Sequence, residues 1–370
     1  MAEIFLLKNI FTKEMIEYIA SNIKGAHPAF KEKDFVIEVL LNFETLSLSE
    51  RAQRISTTLY QFLPKPYLEA LEVILSSLGP IMQEEELKGY DCFYVMPLGI
   101  YVKDYGLDEF DASILALKEM TMRFTSEFPI RSFILKNEDA CFVYLKEFSK
   151  DENCHIRRLA SEGTRPRLPW GLRLQKYVKD PSCVLDLLDG MKNEPTRLVQ
   201  RSIANSLNDI SKDHPIKVID FLTQWKHHDV KDIDWIIAHA CRSLIKDGDI
   251  NALTLMGYKA DIEVDNFSLE IKDDVITLGE YLEFSIRFEL KEDSRLMIDY
   301  LVYFKKSNGC LKAKVFKCSS KSYTKGKVHL IKKHILKKIS TRKYYEGIQA
   351  LSIQINGKVY PMKKEFFLNI

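Results

Sequence analysis

The chain has 370 residues, of which 46% are hydrophobic and 29% are charged, a balance typical of globular proteins with two or three domains. It has no apolar run of about 18 residues and no signal-peptide layout, so we expect no membrane span and a cytoplasmic location. The seven cysteines form no CxxC pair, which argues against a disulfide framework and against a metal site.

Charge is distributed unevenly along the chain. The net charge is only +2, yet residues 261–370 carry 21 Lys and Arg against 14 Asp and Glu. The segment from Lys305 to Lys343 holds fourteen basic residues and no acid. Such a basic block is either a solvated face or a surface for a polyanion, and both interpretations stay open.

Up to about residue 258, apolar residues recur with helical spacing. The segment "DASILALKEMTMRFTSEF" predicts a helix that ends at Pro129, and "TRLVQRSIANSLNDI" predicts another. A weak repeat joins three helical segments that begin at Ile156, Val199 and Ile236, with offsets of 43 and 37 residues. This period is typical of paired-helix repeats, so we predict a mainly α protein with a HEAT-like α-solenoid over residues 1–258.

After residue 258 the pattern changes to short, alternating segments rich in β-branched and aromatic residues. Turn signals such as Ser307-Asn308-Gly309 and Asn356-Gly357-Lys358 separate them. About seven strands over residues 262–370 predict a small all-β sandwich of the immunoglobulin-like type. We place the domain boundary at 258–262.

The stretch "RRLASEGTRPRLPWG", residues 157–171, contains four arginines and a single acid, Glu162. An i,i+4 ion pair between Arg158 and Glu162 is the simplest interpretation. One acid cannot neutralise so many cations, however, so the arginines could instead bind a nucleic-acid backbone while Glu162 contacts the bound nucleotide. Pro166 and Pro169 would stiffen the loop that carries Trp170.

Two further acids occur in similar surroundings. The repeat register puts Asp209 one helical turn beyond the equivalent of Glu162, on the next inner helix. Asp209 therefore either shares a groove with Glu162 or only caps its own helix end. Glu127 lies four residues before Arg131, and it either pairs with that arginine or also lines the groove.

Several of these segments resemble one known family. "RFTSEFPIR", "HIRRLASEGTRPRLPWG", "QRSIANSLNDISKDHP" and "WIIAHACRSLIKDG" are similar to the AlkC family of bacterial alkylpurine DNA glycosylases. Its members are HEAT-like solenoids, and a subset carries a C-terminal immunoglobulin-like domain. The resemblance covers residues 1 to about 258, and it departs from the family pattern at Ala238, where an arginine is expected.

The resemblance implies a base-excision repair enzyme that hydrolyses the N-glycosidic bond of cationic methylated bases, such as 3-methyladenine and 3-methylcytosine, in double-stranded DNA. The matching catalytic acids are Glu127, Glu162 and Asp209, with Trp170 beside the lesion, and no cofactor or metal is required. We expect a monomer that acts at the bacterial nucleoid. The predicted DNA-binding cations are Arg131, Arg157, Arg158, Arg165, Arg167, Arg201, Lys332 and Lys333.

Two other classes of function stay open at this point. A helical-repeat module without catalysis would bind DNA through the same arginines, and many HEAT solenoids serve as protein-binding adaptors. The three acids disfavour a non-catalytic module. The basic loops and the Lys305–Lys343 block disfavour a protein-binding adaptor.

Overall fold

A computed structural model describes residues 6–82, 89–228, 230–260, 262–339 and 342–370. Over these ranges the chain forms sixteen α-helices followed by nine β-strands. Its contacts divide it into two compact units, Met1–Asp213 with Asp229–Asp232, and His214–His228 with Ile233–Ile370. No helix in the described ranges is long and apolar enough to cross a membrane.

The first unit contains the helices α1 to α12. Their bounds are Lys13–Ala26, Glu32–Leu40, Leu48–Phe62, Tyr67–Ser76, Met96–Tyr105, Phe110–Thr121, Ile130–Lys136, Glu138–Phe148, Cys154–Gly163, Gln175–Lys179, Ser182–Asp189 and Arg197–Ile210. Most helices that are neighbours in sequence pack together, and α9 also packs against α6 and α12. The repeat positions Ile156 in α9 and Val199 in α12 are both buried, as the predicted HEAT-like packing requires.

The turn before α7 differs from the sequence prediction, which continued the preceding helix to Pro129. Helix α6 ends at Thr121, whose Oγ1 accepts a hydrogen bond from the Ser126 amide at 3.2 Å. The Ser126 hydroxyl in turn donates to the Leu117 carbonyl at 2.9 Å, which satisfies a helix-end acceptor. Pro129 stands at the N-cap of α7 instead, where its missing N–H group leaves no hydrogen bond unmade. Glu127 therefore lies in a turn.

The second unit combines the helices α13 to α16 with the strands β1 to β9. The helices are Pro215–His227, Ile233–Ala240, Arg242–Asp247 and Ile250–Leu255. The strands are Val264–Ile271, Val275–Thr277, Tyr281–Leu290, Ser294–Lys305, Leu311–Tyr323, Gly326–Ile335, Gly347–Ile355, Lys358–Val359 and Lys364–Asn369. One sheet has the order β1-β3-β6, and the other has the order β2-β9-β7-β4-β5 with β8 paired to β7.

The two sheets form a sandwich around one hydrophobic core. Strand β3 alternates, so that Leu282, Phe284 and Ile286 are buried in this core while the residues between them are less buried. The predicted hairpin at Asn356-Gly357 forms, with φ values of +43° and +83° that suit a type I′ turn. More strands form than the seven predicted, because β2 and β8 have only three and two residues and show no alternation.

The segment after α15 packs on the larger sheet. A Cβ atom on Gly248 would come within 2.7 Å of the Gly357 carbonyl oxygen, so the close approach needs glycine there. The Asn356 amide donates to the Lys259 carbonyl at 2.9 Å and ties the same segment to the strand end. The compact units thus separate near Asp213, whereas helix gives way to strand between residues 255 and 264. The boundary that the sequence predicted at residues 258–262 lies at the change from helix to strand, and it stays a prediction.

Two titratable groups of the sandwich have opposite responses to burial. Burial raises the pKa of Asp299 in β4 to about 6, although Lys317 and Lys246 act against the rise. Burial, with help from nearby cations, lowers the pKa of His334 in β6 to about 4. The Nδ1 atom of His334 lies 2.9 Å from the Tyr300 hydroxyl. Near pH 7 the sandwich therefore contains a buried charged carboxylate and a neutral imidazole.

We expect Asp299→Asn to raise the free energy of unfolding at pH 7 and to change it little near pH 4. Because the folded pKa lies above the ordinary 3.8, the carboxyl's contribution is fully present below about pH 4 and is lost as pH rises through about 6. The gain should be roughly 1–3 kcal/mol after discounting for residual solvent. Urea unfolding at the two pH values measures it, and an equal gain at both would contradict the assignment.

Candidate active site

Helices α9 and α12 bring Glu162 and Asp209 together from positions 47 residues apart in the sequence. The helices approach closely at small residues, where the Ser161 hydroxyl donates to the Ser202 Oγ at 2.7 Å. The Ser202 hydroxyl then donates to Glu162 Oε2 at 2.6 Å. Both acids are buried, so the repeat register that the sequence indicated places two carboxylates beside each other in a site of low water content.

The guanidinium of Arg165 joins these two acids. Its Nη1 donates to Glu162 Oε1 at 2.5 Å, and its Nε donates to Asp209 Oδ2 at 2.9 Å. Burial lowers the pKa of Arg165, but the two carboxylates outweigh that effect and raise the pKa above its ordinary value. Lys212 supplies a second cation to Asp209, with Nζ 3.0 Å from Oδ1. DNA binding by Arg165 stays a prediction, and in the structure its guanidinium lies between the two acids.

Glu127 lies next to this pair and has a different cation. Arg158 Nη2 donates to Glu127 Oε2 at 2.7 Å, and Arg158 Nη1 donates to the Thr125 hydroxyl at 3.1 Å. The Thr125 hydroxyl itself donates to Glu127. The same Nη2 stands 4.0 Å from Glu162 Oε1, so the predicted Arg158–Glu162 pair is the weaker of the two contacts. Glu127, Glu162 and Asp209 therefore form one cluster through two arginines.

Arg131, predicted to pair with Glu127 or with DNA, is fully buried and holds backbone carbonyls. Its Nη1 donates to the Gly163 carbonyl at 2.7 Å and its Nε donates to the Leu172 carbonyl at 2.5 Å. Within the described residues its Nη2 has no hydrogen-bond partner. Burial, together with the nearby Arg165 charge, lowers the pKa of Arg131 to about 10. Arg131 thus fastens the loop after α9 to the end of that helix.

This loop presents Trp170 to solvent. The Trp170 side chain is 95% exposed, and its backbone has a φ of +63°, a conformation that L-residues rarely adopt. Hydrogen bonds from the Gly171 amide to the Leu168 carbonyl and from the Leu174 amide to the Pro166 carbonyl brace the loop on either side. An exposed indole on a braced loop is able to stack on a base at little entropic cost.

The sequence argument that one acid cannot neutralise the surrounding arginines counted only the local acid, Glu162, and other segments supply further carboxylates. Arg157 makes a two-pronged pair with Glu194, at 2.7 and 2.8 Å. Arg167 does the same with Asp213, at 2.8 and 2.7 Å. Arg201 is exposed on α12. Phosphate binding by the first two arginines requires exchange of a carboxylate for a phosphate oxygen.

In the second unit, the predicted cations Lys332 and Lys333 are neighbours on β6, so their side chains point to opposite sides of the sheet. Lys333 is exposed and lies 3.1 Å from Glu283. A stronger concentration of positive charge surrounds Lys314 on the edge strand β5. Arg342, then burial, Lys246 and Lys306 lower the pKa of Lys314 below its ordinary value.

Sequence reasoning missed three side chains that complete the acid cluster: Ser202, Thr125 and Lys212. The spacing of Lys212, three residues after Asp209 at the helix end, was a usable signal for an i,i+3 ion pair. The Ser202 hydroxyl carried no such signal, because the carboxylate that it contacts belongs to another helix, whereas Thr125 lies only two residues before its partner Glu127 in the same turn. Their hydrogen bonds orient the carboxylates that the arginines neutralise.

We expect Arg165→Met to lower the free energy of unfolding by about 3–5 kcal/mol, because it leaves two buried carboxylates without their shared cation. Arg167→Met is the matched control, since its pair with Asp213 is more exposed and should be worth about 0–1 kcal/mol. Urea unfolding of both variants at pH 7 measures the difference. Equal losses would contradict a special role for the buried bridge.

Comparison with known proteins bears on the identity of this site. Residues 120–244, which include all three acids, match the family described as DNA alkylation repair enzyme. Residues 265–369 match the family described as uncharacterised protein YhaZ, C-terminal Ig-like domain. The chain is 37% identical over 355 residues to the uncharacterized protein YhaZ of Bacillus subtilis (strain 168), covering 95% of this chain and 97% of that protein.

A solved structure agrees with this comparison over almost the whole chain. The Pseudomonas fluorescens alkylpurine DNA glycosylase AlkC, bound to DNA containing an abasic site analog, superposes with a TM-score of 0.90 and 35% identity. The match covers 99% of this chain and 100% of that one. The chain therefore belongs to the AlkC family of DNA alkylation repair glycosylases, and its β-sandwich is the C-terminal immunoglobulin-like domain found in part of that family.

Proposed function

We propose that this protein excises cationic methylated bases, such as 3-methyladenine and 3-methylcytosine, from double-stranded DNA by hydrolysing their N-glycosidic bond. The observation that carries the proposal is the buried Glu162–Arg165–Asp209 arrangement beside Glu127. The similar Pseudomonas fluorescens glycosylase binds DNA that contains an abasic site analog, which supports DNA as the partner.

The chemistry of the substrate explains why acids suffice. Methylation at a ring nitrogen gives the base a formal positive charge, so it departs as a neutral leaving group without a proton from a general acid. The bonding electrons leave with the base, and positive charge develops on the sugar. A fixed carboxylate stabilises this oxocarbenium-like sugar and orients a water molecule, which adds to the anomeric carbon and gives its proton to a carboxylate of the cluster.

We assign the sugar-facing role to Glu162 and Asp209 and a lesion-contacting or water-holding role to Glu127. Ser202 and Arg165 fix the orientation of the Glu162 carboxylate from two sides, at 2.6 and 2.5 Å. Such preorganisation avoids the reorganisation cost that acids in water would incur as charge develops. No metal or organic cofactor enters the proposed reaction.

Trp170 is the proposed contact to the damaged nucleotide. Its exposed ring is carried by a loop that Arg131 ties to the last residue of α9, one position after Glu162. The same two hydrogen bonds from Arg131 therefore help to position both the Trp170 loop and the helix end that carries Glu162. A stacked base would receive a defined position relative to the carboxylates.

We propose that Arg157, Arg167 and Arg201 bind phosphates. We also propose that the basic region around Lys314 on β5, with Lys306, contacts the duplex as a clamp. The protein would act as a monomer at the nucleoid in the cytoplasm. A non-catalytic DNA-binding module remains the alternative function. It would use the same cations but would leave methylated bases in place.

Release of methylated bases from alkylated duplex DNA tests the proposed reaction. Glu162→Gln and Asp209→Asn should each lower the single-turnover rate by about 10²–10³-fold, as loss of a preorganised charged group does elsewhere. Glu119→Gln is the control, because Glu119 at the end of α6 pairs with Arg123 and has no place in the acid cluster. No base release by the wild type would favour the non-catalytic alternative, and full activity of both variants would refute the assigned acids.

The clamp makes a separate prediction for DNA binding. Lys306→Gln combined with Lys314→Gln should weaken binding to undamaged duplex and reduce the slope of log affinity against log salt by about 2, roughly one unit per lost phosphate contact. Titration between low and moderate salt measures the slope.

The control for this prediction replaces two lysines of the same unit that already pair with acids. Lys259 lies 2.6 Å from Glu292, and Lys291 lies 3.4 Å from Asp265. The double variant Lys259→Gln and Lys291→Gln should leave the slope unchanged. A slope that is the same in both double variants would place the duplex elsewhere on the sandwich.

A further inference from the structure

Arg158 stands in front of the acids that the proposed reaction uses. Its Nη2 lies 2.7 Å from Glu127 Oε2 and 4.0 Å from Glu162 Oε1, so one guanidinium spans two of the three carboxylates. The Thr125 hydroxyl completes its contacts at 3.1 Å. A cationic nucleotide that reached Glu127 and Glu162 would need the space that the Arg158 guanidinium occupies. Its own positive charge would then take the place of the Arg158 charge.

The two arginines of the cluster are held very differently. The Arg165 side chain is 7% exposed, and it donates directly to carboxylates on two helices. The Arg158 side chain is 22% exposed, has one carboxylate at hydrogen-bond distance, and reaches Glu162 only at 4.0 Å. Removing Arg165 from its acids would leave buried charges unpaired, whereas Arg158 has solvent beside it and can turn outward. Arg158 is the exchangeable cation of the cluster.

Charge matching makes this exchange selective. The three carboxylates already face Arg158, Arg165 and Lys212, and Arg131 adds positive charge nearby. A further cation gains little from a cluster that is already neutralised. If Arg158 leaves, one carboxylate becomes available to one cation, and a neutral nucleotide offers nothing to replace the lost ion pair.

We propose that Arg158 occupies the lesion's cation position in the free protein and competes there with a positively charged nucleotide. The proposal rests on the proposed function, since it takes Glu127 and Glu162 as the groups that meet the nucleotide. The guanidinium is a planar, delocalised cation, as a ring-methylated base is, so the two compete for the same oxygens. A neutral nucleotide gains nothing from the acids, so it leaves the Arg158–Glu127 pair in place and does not compete with it.

The test compares two duplexes of identical sequence, one with a cationic pyrrolidine abasic analogue and one with a neutral tetrahydrofuran analogue. Fluorescence anisotropy gives the Kd of each, and the ratio of the two cancels every phosphate contact. Arg158→Met removes the competing cation, so the preference for the cationic duplex should rise about fivefold, the size expected for one partly exposed charged hydrogen bond. Arg158→Lys keeps the charge and should stay within about twofold of the wild type.

Arg123→Met is the matched control, because Arg123 is also a partly exposed arginine that pairs with a glutamate and a backbone carbonyl, at 3.3 and 2.6 Å. Its preference should equal that of the wild type. Arg158→Gln serves as a second charge-free variant, and circular dichroism verifies that each variant is folded. An unchanged or smaller preference in folded Arg158→Met or Arg158→Gln would overturn the proposal, including the case in which both affinities fall equally, as for a simple phosphate contact.

The measurement separates this inference from the proposed function, because the analogues have no base to release. If the wild type releases no methylated base but the preference still rises in Arg158→Met, the cation exchange stands and the hydrolysis is refuted. If bases are released but the preference does not change, the hydrolysis stands and the exchange is refuted. Failure of the wild type to bind either duplex would overturn both.

Discussion

The guanidinium of Arg165, buried between the carboxylates of Glu162 and Asp209, is the interaction on which the rest of the site depends. Two carboxylates repel each other, and each loses its hydration when it is buried, so their burial side by side is costly without a shared cation. The bridge in turn requires the ends of α9 and α12 in one register, which the Ser161–Ser202 contact allows at 2.7 Å. The packing of α9 against α12 therefore determines the geometry of the acid pair.

Local patterns predicted most of the fold and the proximity of two of the candidate acids. Helical spacing, strand alternation and the Asn356-Gly357 turn are short-range signals, and the repeat register correctly put Asp209 near Glu162. The partners of the arginines were not predictable in the same way, because Arg158 finds Glu127 and Arg167 finds Asp213 across 31 and 46 residues. One-dimensional charge counting treated these arginines as surplus, whereas folding had assigned each of them a carboxylate.

The loop after α9 shows a second limit of sequence reasoning. Pro166 and Pro169 indicated a stiff loop, but the group that fastens it is Arg131, from a helix earlier in the chain. An arginine after a proline and an isoleucine reads as a surface residue, since burial of a guanidinium is costly. Here two backbone carbonyls accept from it, and its lowered pKa of about 10 still leaves it charged at neutral pH. The desolvation cost of burying Arg131 is offset because the same two hydrogen bonds hold the Trp170 loop and the end of α9 in place.

Near-neutrality of the acid cluster also resolves a conflict between binding DNA and stabilising a cation. Three bare carboxylates in a DNA-binding protein would repel phosphates over about a Debye length, roughly 8–10 Å. Pairing with Arg158, Arg165 and Lys212 reduces that field at a distance, because opposite charges a few ångströms apart act as dipoles. A polyanion can therefore approach. Under the proposed function, a cation gains from the acids only where it takes the contact position that Arg158 occupies.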